Sequence, residues 1–294
     1  ARGSSDHAAT YLKHLIETRA QVPVASLSPS VASIYAAAPA ARDMLAIGLS
    51  QSGKSPDLLA TVRAAAAEGA RTLAMVNVAD SPLATVADTL LPLHAGPELS
   101  VAATKSLLAT LAASLSLVGA WTGDATLIRA QAALPELLRR AWQCDWSPLV
   151  DTLAPARGLY VLGRGPGFGA AQEMALKLKE TCGLHAEAFS TAEVRHGPMA
   201  LVGPDFPLLV LRQDDPSAPA TDALIADMLR EGAPVLVAGD APAGAIRLPV
   251  PDADPAIAPI LAVQAFYRAA NALSVRRGFH PDQPPLLRKV TETV

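Results

Sequence analysis

The sequence predicts an α/β protein built from two doubly wound units with parallel sheets, followed by a short irregular tail. Three observations carry this expectation. Apolar runs of four to six residues alternate with helical patterns of 10 to 16 residues, as expected of buried parallel strands joined by crossover helices. The two halves share an internal pattern at an offset of 162 to 163 residues, the mark of a repeated supersecondary unit. Each half also has a polar or glycine-rich turn between an apolar run and a helical pattern, where open α/β sheets bind ligands.

The chain opens on the turn ARGSSD, whose counterpart GRGPGFG follows the apolar run Leu159 to Leu162 and leads into a helix around Ala170 to Thr181. A strand matching Leu159 to Leu162 is therefore expected ahead of Ala1, in a segment preceding the present sequence. Runs at Val22 to Ala25, Leu45 to Leu49, Leu73 to Val76 and Leu90 to Leu93 read as the strands of the first half. Segment 43 to 76 lays over 206 to 238, placing Gln51 on Gln213 and Gly69 on Gly232. Both stretches read strand, polar turn, helix, Glu-Gly-Ala, strand; chance similarity of two βαβ units is the alternative to duplication. The stretch Leu107 to Trp121 is broken by Thr110, Ser114, Ser116 and Gly119. It falls short of the roughly 20 residues that span a bilayer, so it reads as a buried helix. Leu127 to Arg140 and Cys144 to Leu153 read as connecting helices. The expected division is residues 1–135, 136–277 and a tail, 278–294. The tail is proline-broken and should lie across a surface or cleft.

At 294 residues the chain is long enough for two cores. Its composition, 51% hydrophobic and 17% charged, excludes disorder. A net charge of -3 without a dense Lys/Arg run argues against a nucleic acid partner. Cys144 and Cys182 lack CxxC spacing, and no His/Asp/Glu cluster has ligand spacing, so neither a disulfide framework nor a metal site is expected. No signal peptide is visible, which with the two unpaired cysteines reads as cytoplasmic.

In SQSGKSPD, Ser50, Gln51, Ser52 and Ser55 follow a strand run and precede a helix. Free N–H groups and the helix dipole favour an anion there, Gly53 lets the backbone approach closely, and the hydroxyls can donate to phosphate oxygens. The loop matches neither GxxxxGK[ST] nor GxGxxG, which favours a monophosphate on a small molecule over a nucleotide. The plainer reading of Ser55 is a helix cap before Pro56. The matching turn RQDDPSA puts Asp214 and Asp215 where phosphate would sit, so only the first half should keep the anion site. Ser4 and Ser5 add hydroxyls from the neighbouring strand end.

In QEMALKLKE, Glu173, Lys177 and Glu180 recur at i, i+4 and i+7 and share a helix face. A solvated stripe with an ordinary Glu173–Lys177 ion pair is one reading; a polar stripe beside the ligand crevice is the other. His196, before Gly197-Pro198, has the side chain suited to moving a proton on and off a ring oxygen. His7, His14, His94, His185 and His280 read as structural, His185 least firmly. Lys289 alone reads as a solubilising surface residue.

Taken together, ARGSSD, SQSGKSPDLL, ELSVAATKS, ALKLKETCGLHAEAFSTAEVRHGP and DQPPLLRKV resemble the sugar isomerase (SIS) domain family across nearly the whole chain. The likeness is to its two-domain branch, which holds SIS-type glucosamine-6-phosphate deaminases and the isomerase half of glutamine:fructose-6-phosphate amidotransferase. It implies two flavodoxin-like, three-layer αβα domains in tandem. By resemblance, Ser4, Ser5, Ser50, Gln51, Ser52, Ser55, Val101 and Ala103 fall on substrate-binding positions. Ala103 departs from the pattern, standing where the amidotransferase has a serine. Glu180 matches the carboxylate that shuttles a proton between C1 and C2, and Lys177 a further active-site position. His196 matches the ring-opening histidine contributed by the other subunit of a homodimer, and Lys289 the Schiff-base lysine.

Nothing in the sequence resembles a glutaminase domain, so the resemblance implies isomerisation with ammonia release, from glucosamine 6-phosphate to fructose 6-phosphate, and no cofactor. Simple aldose–ketose isomerisation, a deaminase for another hexosamine 6-phosphate, and a non-catalytic sugar-phosphate sensor stand as alternatives.

Overall fold

The computed structural model describes residues 1–289. Helix α1 (Ser4–Leu15) continues into a π-helical turn, Ile16–Ala20, and a short α2 (Pro29–Ser33) follows. Strand β1 (Leu45–Ser50), α3 (Pro56–Ala67), β2 (Arg71–Val76), α4 (Pro82–Val86) and β3 (Thr89–Pro92) then form a three-stranded parallel sheet, β1-β2-β3, with its crossovers. Helices α5 (Lys105–Thr122), α6 (Ala125–Trp142) and α7 (Ser147–Leu153) lead to the second half. There, β4 (Gly158–Gly163), α8 (Pro166–Cys182), β5 (His185–Ser190), β6 (Leu208–Leu211), α9 (Ala218–Arg230), β7 (Val235–Ala238) and β8 (Ile246–Leu248) precede a final helix, α10 (Ala258–Arg276). The second sheet is parallel throughout, in the order β5-β4-β6-β7-β8.

Period-2 alternation explains why these apolar runs are strands. Leu159, Val161, Leu209, Leu211, Leu236 and Ala238 face the main core, whereas Tyr160, Leu162, Leu208, Val210, Val235 and Val237 face a second cluster on the opposite side of the sheet. In the first sheet, Leu49, Leu73 and Met75 reach that same main core, and Ala74 and Val76 pack outward on Leu58, Val62 and Leu83. One apolar core thus runs continuously between the two sheets, where composition suggested two. Among the described residues, no helix is long and apolar enough to cross a membrane.

The internal repeat has a backbone signature. Gly3 (φ 52°, ψ −134°) and Gly165 (φ 52°, ψ −131°) precede α1 and α8 in the same left-handed conformation. Gly69 and Gly232, after α3 and α9, both have positive φ, 92° and 78°. The strand expected at Val22 to Ala25 is absent: residues 21–28 are irregular and Val22 is 41% exposed. Its repeat partner β5 is held by β4, and among the described residues no strand stands ahead of α1 to play that part. Without a neighbouring ladder, β propensity alone does not make a strand.

The tail is anchored before it crosses the molecule. Arg277 donates to the carbonyls of Cys182, Ala154, Ala156 and Leu153, tying the end of α10 to the ends of α8 and α7. Beyond it, the Val101 N–H donates to the Asp282 carbonyl at 3.2 Å and the Ser100 hydroxyl to the Asp282 carboxylate at 2.5 Å. Residues 278–289 therefore do lie over a cleft, next to the loop that leads into α5.

Candidate active site

The polar stripe of α8 is buried, which overturns the solvated reading: the side chains of Glu173 and Lys177 are 0% and 2% exposed. They face α1 and α10. The Lys177 ammonium donates to Glu180 Oε2 at 2.6 Å and to Ser4 Oγ at 3.0 Å, and lies 3.2 Å from Glu173 Oε1. Glu173 in turn accepts from His7 Nδ1 at 3.0 Å and from the Tyr267 hydroxyl at 2.9 Å. Burial alone would lower the Lys177 pKa, but Glu173 and Glu180 outweigh it and hold the pKa above the ordinary lysine value. Burial likewise pushes Glu173 up, and Lys177, His7 and Tyr267 together bring it below the usual carboxylate range. The result is one ammonium between two carboxylates, of which only Glu180, 21% exposed, is open to a ligand.

Around the first sheet's mouth, the Gly53 N–H donates to the buried Ser50 Oγ at 2.9 Å, folding loop 50–55 back on β1. Gly53 has φ +65°, and a Cβ there would lie 2.2 Å from Ser81 Oγ, so only glycine fits. Ser55 occupies the N-cap of α3 yet makes no side-chain capping bond, which removes the plain capping reading for its hydroxyl. Gln51 and Ser52 are partly exposed beside it. Two residues further on, buried Asp57 accepts from Arg2 Nε at 2.8 Å. Arg2 and Ser4 are two residues apart, at most about 7 Å of chain, so α1 ties the loop to the Lys177 cluster. Ser5 follows on the same turn and makes no side-chain hydrogen bond with the described residues.

In the second half the equivalent turn is self-occupied, as the paired aspartates suggested. Asp215 Oδ1 accepts from the Ser217 N–H at 2.8 Å and from its hydroxyl at 2.5 Å. Arg212 is held by Asp222, Nε and Nη2 each donating at 3.1 Å.

Lys289 is partly buried rather than a free surface residue; its Nζ donates to the Ser100 carbonyl at 2.6 Å. Burial, opposed by Glu98 and aided by Lys177, lowers its pKa below the ordinary value. A cavity of about 340 Å³ opens between α5, α8, α10 and the tail, with Ser100, Thr104, Lys105, Lys177, Thr181 and Tyr267 in its lining. Val101 and Ala103, both partly exposed, flank that wall. His196 is not gathered into the cluster. It ends a 3₁₀ turn, Glu193–His196, after β5, exposed and with no side-chain hydrogen bond or ion pair to the described residues. His185 pairs with Gly158 at the opening residues of β5 and β4, the end of the sheet away from the crevice. Among the described residues, no group of three or more His, Cys, Asp or Glu is placed to hold a metal ion.

Sequence reasoning missed His7 and Tyr267 and left Glu173 outside the site. One signal was available for His7: it lies at i+3 from Ser4, so the two share a face of α1.

A family model described as the SIS domain matches residues 1–120 and 152–246. The isomerizing glutamine–fructose-6-phosphate aminotransferase of Zymomonas mobilis is 34% identical over 98% of this chain and 50% of its own length. The chain thus spans about half the length of the curated relatives it matches. A protein of Silicibacter pomeroyi DSS-3, provisionally described as a phosphosugar isomerase, superposes with a TM-score of 0.91 at 40% identity, over 96% of this chain and 86% of its own. Glucosamine-6-phosphate deaminase of Thermotoga maritima shares the fold, with a TM-score of 0.82 at 22% identity over 99% and 88% of the two chains.

Proposed function

Since the chain belongs to the SIS domain family, we propose that it is a phosphosugar isomerase acting at C1 and C2, and that its substrate is glucosamine 6-phosphate, converted to fructose 6-phosphate and ammonia. The observation that carries this reading is the Glu180–Lys177–Glu173 constellation, in which one reachable carboxylate is backed by a buried ammonium. The phosphoryl group takes loop 50–55, with Ser50, Gln51, Ser52 and Ser55 around it and Ser5 alongside. Glu180 takes the proton from C2 and returns it to C1. The resulting ketimine takes up water at C2 and loses ammonia, so that one water enters for each ammonia released. Lys177 stabilises charge on the enolamine oxygen.

Lys289, bent over the cavity and held nearer neutrality by burial, supplies an amine for an imine with the open-chain sugar or stabilises charge there; borohydride trapping with substrate separates the two. His196 opens the ring. Because it lies exposed and apart from its own chain's cluster, it fits a role across a homodimer. In this reading the chain divides into domains at 1–135 and 136–277, each doubly wound, with the 278–294 tail closing the cleft, and the enzyme is cytoplasmic.

The test is a product assay for free ammonia and fructose 6-phosphate on a panel of hexosamine and hexose 6-phosphates. Ammonia from glucosamine 6-phosphate supports the reading; conversion of a hexose phosphate without ammonia replaces it with simple isomerisation. Glu180→Gln should lower turnover by roughly 10²- to 10⁴-fold while phosphosugar binding stays measurable, and undiminished turnover removes Glu180 as the base.

A further inference from the structure

We propose that His7 is a positioning residue, holding the Glu173 carboxylate so that Glu173 in turn fixes the Lys177 ammonium between Ser4 and Glu180. The inference rests on the isomerase reading above for its consequence, and on geometry for its content. A carboxylate accepts, so His7 Nδ1 carries the proton in its 3.0 Å contact with Glu173 Oε2. The other oxygen faces the Tyr267 hydroxyl and Lys177. With both oxygens engaged, the Glu173 carboxylate cannot rotate without breaking a buried contact. Were it to do so, Lys177 would keep only Ser4 and Glu180, and Glu180, the one of the two carboxylates that a sugar can reach, would be its sole counter-charge.

The backbone supports the same role. Ser4 and His7, one turn apart on α1, deliver a hydroxyl to Lys177 and an imidazole to Glu173 from a single helix face. That face is pinned at Gly169 of α8, where a Cβ would lie 2.5 Å from the His7 carbonyl oxygen and 3.1 Å from the Tyr11 nitrogen. Under the 162-residue offset, position 7 maps onto 169 and position 11 onto 173. The contact of Gly169 with Tyr11 is thus the repeat's counterpart of His7 with Glu173. In the counterpart, Tyr11 is packed in the core and only sends its hydroxyl to the Ala256 carbonyl at 2.7 Å. The α1–α8 packing therefore needs no ionisable pair at this step. A buried carboxylate there costs desolvation that a packed side chain avoids, and Lys177 is the group that gains from it.

The test compares His7→Ala, His7→Asn and His7→Gln. An asparagine amide nitrogen reaches the Nδ1 position and a glutamine nitrogen the Nε2 position. His7→Ala should lower kcat for ammonia release by about 100-fold, the scale of a misplaced catalytic group, with KM little changed. His7→Asn should recover most of the loss and His7→Gln little of it. Undiminished kcat in His7→Ala, or equal losses in His7→Asn and His7→Gln, overturns the proposal; if His7→Ala does not fold, that pair decides. Lysine ¹⁵Nζ spectra without substrate keep the two readings apart. A displaced Lys177 signal in folded His7→Ala, or in His7→Gln where His7→Ala does not fold, supports the network even if no tested sugar phosphate is turned over, and an unmoved one overturns it.

Discussion

Two loops at the same step of the repeat, 50–55 and 212–217, present different chemistry on the same frame. Each follows a parallel strand and ends in a serine at the N-cap of the next helix, Ser55 before α3 and Ser217 before α9. At the third position before the helix stand Gly53 in one and Asp215 in the other. Asp215 puts its own carboxylate on the Ser217 N–H and hydroxyl, so the α9 terminus already holds a negative charge. Gly53 instead folds its N–H onto Ser50 and leaves the Ser55 hydroxyl without a capping bond. The position of a helix terminus at a sheet mouth therefore does not decide whether an anion binds. In the proposed reading the residue two before the cap does, by filling the site or leaving it open.

The sharpest way to break this comparison is to make the first loop resemble the second. Gly53→Asp should weaken phosphosugar binding by more than about 100-fold, a loss of roughly 2.7 kcal/mol. Its carboxylate would face the phosphoryl group, and its Cβ would meet Ser81 at 2.2 Å in a backbone of positive φ. Gly53→Ala, carrying the steric part alone, separates the two causes in the same calorimetric titration. Binding within a few-fold of wild type in Gly53→Asp would mean that the phosphate sits elsewhere.

The halves also divide their chemistry, since the buried ionisable cluster belongs to α8 whereas α1 contributes His7 and Ser4. Removing the ammonium by Lys177→Met leaves buried Glu173 beside Glu180 and should cost about 3 kcal/mol at pH 7 in denaturant unfolding. The pH dependence follows from sign. In the wild type the Glu173 pKa is depressed, so its contribution is present above the ordinary carboxylate range and is lost as pH falls. Without Lys177, burial becomes the dominant influence and raises Glu173, so the variant gains relative stability as pH falls towards 5. The difference between the two proteins should shrink from pH 7 to pH 5; a constant difference would mean that the cluster is not ionised.

Much of this arrangement could be read from local pattern, and the remainder depended on what lies opposite. The runs Leu45 to Leu49, Leu73 to Val76, Leu90 to Leu93 and Leu159 to Leu162 are strands because each lies in a parallel ladder with at least one neighbour. Val22 to Ala25 is likewise apolar, but Pro23 removes a ladder donor in mid-run and, among the described residues, no strand lies beside it. Spacing placed Glu173, Lys177 and Glu180 on one helix face, yet spacing cannot tell water from another helix. His7 and Tyr267 meet Glu173 across 166 and 94 residues of chain, separations that no periodicity reports. Asp215 was legible from charge alone, because a carboxylate beside a helix terminus satisfies it whatever else is nearby.

A milder change probes the brace under the proposed phosphate loop. Ser50→Ala removes the acceptor for the Gly53 N–H, a bond worth about 1 kcal/mol. Phosphosugar Kd should rise roughly 5- to 10-fold with kcat unchanged, because Ser50 shapes the loop without touching the α8 carboxylates. A fall in kcat at constant Kd would place Ser50 among the reacting groups.

The smallest expected effect comes from the reverse exchange. Asp215→Ser takes the carboxylate off the α9 terminus and leaves Ser217, Gln213 and the helix N–H groups in place. Stability should change by less than about 1 kcal/mol, because serine is itself a competent cap. With Arg212 adjacent, the opened turn should take up inorganic phosphate weakly, detectable as ³¹P line broadening absent from the wild type, while ammonia release stays unaltered. If no phosphate binds, removing the aspartate is not sufficient, and the Gly53 backbone, with its left-handed φ, would be the second requirement. Asp215→Gly then tests that requirement at the position that aligns with Gly53.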